Sequence, residues 1–425
     1  MSEMTRRDLM NLGLRGGLGA LLAGSALGRL PAALADTAAA GATGKAAPRS
    51  VIWIYLQGGP SHIDTFDPKP GVDTGGPFKA IPTSVDGIRI SEHLPRLAKQ
   101  MKHLNLIRSM TSKEGSHDRA RHLLEAGYSP AGPVRFPGFG AIVAHERTPK
   151  DFALPSYISI GGTTLGGGYL GARYSPFVIR QPDRPIANLE RLAGVDAERF
   201  KRRKALLEGQ EQEFARGRDN KLIAGHRETY DRSHAFMSSA HRKAFDLKSE
   251  PEKVRAAYGE SRFGQSCLLA RRLVEVGVPY VTVTLGGWDT HRENFPKVQS
   301  NSEILDQGLG TLVAELVDRG LLESTMILCN GEFGRTPRIN PNAGRDHWPK
   351  AFSALVGGGG LATGQLIGKT DAKGGLVAAD GVRPRDLFAT LARRLGLDRN
   401  KVFYSDIGRP FRIVEKEANE VKGLL

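Results

Sequence analysis

Residues 324–348 read S-T-M-I-L-C-N-G-E-F-G-R-T-P-R-I-N-P-N-A-G-R-D-H-W. The segment opens on an apolar run, Met326-Ile327-Leu328-Cys329, which predicts a buried strand. The run breaks at a glycine and delivers Glu332 at its end; a loop then brings Arg335, Arg345, Asp346 and His347. In open α/β sheets, ligands bind at the carboxyl ends of the strands. Carboxylates, an imidazole and two guanidiniums at such a position suit one or two hard cations with an anionic ligand. The plain alternative is an acidic turn, in which Asp and Asn cap the loop and Arg pairs with them.

Working outward, the same pattern recurs twice. Val51 to Gln57 (V-I-W-I-Y-L-Q) is apolar almost throughout, as a central parallel strand should be, and breaks at Gly58-Gly59-Pro60. His62, Asp64 and Asp67 follow. Pro279 to Leu285 is a further strand, closed by Gly286-Gly287-Trp288 and followed by Asp289-Thr290-His291. Leu104 to Arg108 and Ala351 to Val356 add two more strands. Helical periodicity covers about 92–102, 117–128, 262–276, 301–320 and 384–396, while 133–178 is mixed, with a glycine-rich loop at 161–171. Residues 185–260 are charged and helical in period, and read as an insertion or cap. This alternation predicts an α/β fold, a three-layer α/β/α sandwich with a mostly parallel sheet and a helical insertion.

Three strands thus end in acid or acid/histidine groups. Burying several carboxylates together costs several kcal/mol unless protons or a cation neutralise them. Asp, Glu and His without Cys point to Zn, Mn, Mg or Ca. Cys267 falls in a predicted helix and Cys329 in a predicted strand, where both read as small buried residues. Ser109, Thr111 and Ser112 lie between a strand end and the helix beginning at His117; hydroxyls there are good N-caps, and a nucleophile there gains from the helix dipole.

The chain has 425 residues, a globular composition and a net charge of +15. Residues 1–35 hold four Arg and two acids, so +13 remains beyond them. That balance favours anionic partners, with no basic run or motif that points to nucleic acid. Thr5-Arg6-Arg7-Asp8-Leu9-Met10, a weakly apolar stretch and Ala33-Leu34-Ala35 read as a twin-arginine export signal over 1–35, too short and broken to span a bilayer. The expectation is passage through the twin-arginine machinery to the periplasm or medium, with no transmembrane segment in the mature chain. Residues 36–49 read as a linker and 50–425 as one domain. A phosphate loop at Gly357–Thr370 fails by spacing, because Thr363 stands where glycine is needed.

G-G-P-S-H-I-D-T-F-D-P-K-P, G-W-D-T-H, and E-F-G-R-T-P with G-R-D-H-W resemble the signatures of a large bacterial family of unknown function. That family often carries twin-arginine signals and is placed in the alkaline phosphatase/sulfatase superfamily. The resemblance spans roughly 50–425 and implies an alkaline-phosphatase-like sandwich with a metal site at the strand ends. It implies Asp64, Asp289, His291, Glu332 and His347 as ligands of one or two divalent ions, Zn, Mn or Ca. Asp346 is then a ligand or orients His347, and Thr111 or Ser112 is the nucleophile. His117 is an acid/base or phosphate contact, and Arg335 and Arg345 hold the transferring group. The pattern departs from the superfamily: the central pair is D-T-H rather than D-x-x-x-H, and Glu332 is followed by Phe333 rather than His. No cysteine stands where a sulfatase would carry its formylglycine precursor. The expected activity is therefore hydrolysis of anionic esters, phosphate before sulfate, on a small-molecule or glycan substrate. A non-catalytic envelope binding protein on the same fold is the alternative.

Overall fold

Eight strands make the central sheet of the computed structural model, which describes residues 46–187, 189–190, 194–216 and 220–425. They are β1 (Ser50–Leu56), β2 (Leu104–Met110), β3 (Tyr157–Ile160), β4 (Phe177–Ile179), β5 (Tyr280–Leu285), β6 (Thr325–Asn330), β7 (Phe352–Gly358) and β8 (Leu366–Ile367). Their order is β8-β2-β7-β6-β1-β5-β3-β4. Every neighbouring pair is parallel except those made by β7, which runs against both β2 and β6. The expected twin-arginine segment and residues 36–45 of the expected linker lie outside the described residues.

Helices cover both faces. In order they are α1 (Pro95–Gln100), α2 (His117–Ala126), α3 (Phe139–Arg147), α4 (Ala197–Ala215), α5 (Asn220–Ser238), α6 (Glu252–Tyr258), α7 (Arg262–Glu275), α8 (Asn294–Asp318) and α9 (Pro384–Arg394). Side chains alternate across a strand, and all seven β1 residues are buried, so β1 feeds two cores. Ile52, Ile54 and Leu56 pack with Leu97 of α1, Leu268 of α7 and Leu309 of α8. Val51, Trp53 and Tyr55 pack with Leu124 of α2, Ile142 of α3 and Leu391 of α9. The result is the three-layer α/β/α arrangement expected from the alternation. Cys267 and Cys329 are free and buried in the first of these cores.

Between β4 and α7 the regular elements are all helical, and α4 buries none of its side chains. Among the described residues, no helix is long and apolar enough to cross a membrane.

A buried ion-pair network fastens this helical stretch to the sandwich. Arg271 of α7 is 1% exposed and reaches Glu250 at 2.7 Å, Glu275 at 2.8 Å and Glu315 of α8 at 3.1 Å. Burial pushes the Glu250 carboxyl up, but hydrogen bonds and charges from Arg271 and Arg272 outweigh it and hold the group below its ordinary 4.5. A group depressed on folding stabilises above its unfolded pKa, and that contribution is lost as pH falls through the folded value. Glu250→Gln is therefore expected to lower stability by about 3 kcal/mol at pH 7. The gap to wild type should shrink only below about pH 4.5. Urea unfolding of both proteins across pH 3–7 checks this, and a gap independent of pH would contradict it.

Candidate functional site

The three acid-bearing strand ends lie side by side, because β6, β1 and β5 are neighbours and parallel. The reversed strand β7 contributes from the same edge, since its start, not its end, lies there. The 331–351 segment therefore leaves the sheet and returns to it on one side. Within it, Gly334–Arg335 pairs antiparallel with His347–Trp348, placing His347 opposite Arg335. Its tip is tied to the loop after β5: the Arg345 amide donates to the Thr290 carbonyl at 3.0 Å, and the Asn294 amide to that of Ala343 at 2.9 Å. From the next strand over, β2 leads to α2, which starts at His117.

His117, Asp289 and His347 each place a ligand atom within 4.8 Å of the others. His291 adjoins them, with Nε2 3.1 Å from Asp289 Oδ1 and 3.0 Å from His347 Nε2. Each imidazole is held from behind. His117 Nδ1 lies 2.7 Å from Glu332 Oε1, His291 Nδ1 2.8 Å from Asp346 Oδ1, and His347 Nδ1 2.8 Å from the Gly115 carbonyl. Oxygen acceptors at Nδ1 place the proton there, which leaves the Nε2 lone pairs turned inward. Two such lone pairs at 3.0 Å repel unless a proton or cation sits between them. His117 Nε2 is buried without a hydrogen-bond partner; Asp289 Oδ2 stands 3.4 Å away, off hydrogen-bond geometry. The donor set of imidazoles and a carboxylate, with oxygen acceptors behind the rings, fits a divalent cation.

Glu332 is buried and fully used: Oε1 accepts from the Gly58 amide at 2.9 Å, and Oε2 from the Tyr55 hydroxyl at 3.1 Å. Gly58 has φ +113°, and a Cβ there would meet the Asp289 amide nitrogen at 2.5 Å. The crossing of the β1 and β5 loops thus requires glycine at this position. Burial raises the Asp289 carboxyl, but the hydrogen bond from Arg335 and the charges of Arg335, His117 and His291 bring it down to about 2. The hydrogen bond to Glu332 raises His117, whereas burial lowers His347. The His291 hydrogen bond lowers Asp346.

Three further expected residues are bonded within the protein. Asp64 lies eight residues beyond Leu56, and its chain has turned away from the cluster into the core. Its two oxygens accept from Arg345 at 2.7 and 3.0 Å, and Asn294 donates to Oδ2 at 2.8 Å. Asp64 and Arg345 are both fully buried. Arg345 is thereby committed to the core rather than to a substrate. Arg335 is likewise buried; it donates to the carbonyls of Gly58, Gly59 and Arg345 and to Asp289 at 2.6 Å. Thr111 and Ser112 are half-buried before α2, and Ser112 Oγ accepts from the Glu114 amide at 3.3 Å, a turn contact. Tyr55, which donates to Glu332, was not singled out by the motifs. Tyr55 reads from sequence as one more apolar strand residue.

A layered α/β protein with a histidine–carboxylate cluster at the carboxyl edge of its parallel strands is a candidate metal-binding protein. The chain belongs to the family described as Protein of unknown function (DUF1501), which matches residues 48–425. No curated protein matches it. Among solved structures it is similar to Ps i-CgsB (13% identity, 83% of this chain and 72% of that chain, TM-score 0.40). It is also similar to the PsFucS1 sulfatase from Pseudoalteromonas sp. (13% identity, 83% and 68%, TM-score 0.39). A third is a protein in the alkaline phosphatase superfamily from Vibrio parahaemolyticus (10% identity, 84% and 69%, TM-score 0.39).

Proposed function

We propose that the chain is a metal-dependent hydrolase of anionic esters, phosphate rather than sulfate, on a small-molecule or glycan substrate. The observation that carries this reading is the convergence of His117, Asp289 and His347 at the sheet edge, with His291 Nε2 adjoining Asp289 and His347 and each ring backed by an oxygen acceptor. His117, Asp289 and His347 would hold the ion, with His291 beside them. Glu332 and Asp346 fix the His117 and His291 rings. Three imidazoles favour Zn or Mn over Ca, which prefers an all-oxygen shell. When bound, such a cation supplies Lewis-acid polarisation of the ester and an activated nucleophile at neutral pH. Thr111 or Ser112, ahead of the α2 N-terminus, is the protein nucleophile in this reading. Preference for phosphate rests on the cysteines, both buried in the core and neither in the 109–117 stretch that carries the proposed nucleophile. Residues 1–35 are proposed to direct twin-arginine export to the periplasm or medium.

The test is elemental analysis of the purified mature chain, followed by turnover of aryl phosphates and aryl sulfates with added Zn or Mn. One or two equivalents of metal, with phosphate ester cleavage abolished by chelation and restored by metal, is the expected result. Metal-free protein that stays inert after reconstitution would overturn the reading. One observation favours a second reading, a non-catalytic envelope binding protein. Both arginines expected at the transferring group are fully buried and bonded within the protein. Metal retained without turnover of either ester class would select it.

A further inference from the structure

We infer that Arg121 is the residue that recognises the anionic group of the substrate; this rests on the metal-dependent ester reading above. Arg121 follows His117 by four residues on α2 and precedes Glu125 by four, so the three share one helix face. Beside the cluster lies a cavity of about 470 Å³, walled by Tyr55, Gln57, His117, Arg121, Asp289 and Glu332, with glycines rather than side chains along the β5 side. Among the described residues, Arg121 is the only Lys or Arg on that wall.

Its guanidinium is braced but not consumed. Nε donates to Glu125 Oε1 at 2.6 Å, and Nη2 donates to the Thr163 carbonyl. The group lies over the Tyr55 ring, 5.4 Å from its centroid. No hydrogen bond among the described residues takes Nη1, and Asp118, which also lines the cavity, makes no ion pair with it. Arg335 and Arg345, by contrast, are fully buried with their donors turned to carbonyls and carboxylates. A planar donor with a free edge, one helical turn from a candidate ligand, suits the non-bridging oxygens of a phosphate-type ester.

The test measures inorganic phosphate binding by calorimetry on Zn-reconstituted mature protein, with Zn content determined on each sample. Arg121→Gln is expected to bind phosphate on the order of 10–100-fold more weakly at unchanged Zn content, the size of a lost charge-assisted contact. Arg121→Lys should recover part of the affinity, and Glu125→Gln, which removes the carboxylate charge but keeps an oxygen that accepts from Arg121 Nε, should bind as wild type. Equal phosphate affinity in wild type and Arg121→Gln overturns this inference and leaves the hydrolase reading standing. No phosphate binding by the Zn-loaded wild type overturns both. A loss in Glu125→Gln as large as that in Arg121→Gln assigns the effect to the packing of α2 and also overturns it.

Discussion

Asp289→Asn combined with His347→Ala is expected to weaken Zn binding by at least about a thousandfold, since loss of even an outer-shell partner costs roughly 10–100-fold. Two of the three grouped donors go, and His117 with the adjoining His291 lacks the carboxylate that neutralises the ion. The fold should survive. Arg335 keeps the carbonyls of Gly58, Gly59 and Arg345 when Asp289 loses its charge, and Asp289 and His347 are themselves partly exposed. Zn titration of wild type and double variant, with circular dichroism on both, checks the result. Undiminished Zn affinity in a folded double variant would remove this cluster from consideration as a metal site.

Arg345→Met is expected to do the opposite: to cost stability and spare the metal. The substitution leaves the Asp64 carboxylate fully buried with Asn294 as its remaining side-chain partner. Breaking a buried ion pair from one side costs about 3–5 kcal/mol. Asp64→Asn should be milder, because Arg345 retains the carbonyls of Thr74 and Thr336. Urea unfolding gives the stability term, and metal content of the folded fraction gives the other. If Asp64→Asn stripped the metal while leaving stability unchanged, Asp64 would be a ligand, as the motif comparison first implied.

These two variants also mark where the sequence was and was not sufficient. β1, β5 and β6 were legible because each is a continuous apolar run stopped by glycine, the pattern of a strand buried on both faces. β3 and β4 were not, because four and three residues carry no periodicity and are held by their neighbours in the sheet. α8 starts at Asn294, ahead of the expected 301, since Pro296 in its first turn replaces no helical hydrogen bond. In the site, Asp289 and Glu332 stand four and two residues past their strands, close enough for the strand to fix their direction. Asp64 is eight past, and over that distance the chain reverses, which residue types alone do not reveal. The setting of the arginines was not legible for a related reason. A guanidinium's chemistry is visible in sequence, but whether its donors face carbonyls or solvent is a matter of packing.

The reversal of β7 has a consequence for the order in which the edge is assembled. Asn330 pairs with Ala354, 24 residues on, whereas the β1–β6 pairing joins Tyr55 to Asn330 across 275. With closure entropy growing as (3/2)RT ln n, the shorter connection is cheaper by about 2 kcal/mol. β6 and β7 are thus the first of the central strands able to zip, and they carry Glu332 and His347 at the two ends of one connection. Both residues reach the same edge while β1 and β5 are still searching, so the edge grows outward from a ready-made half.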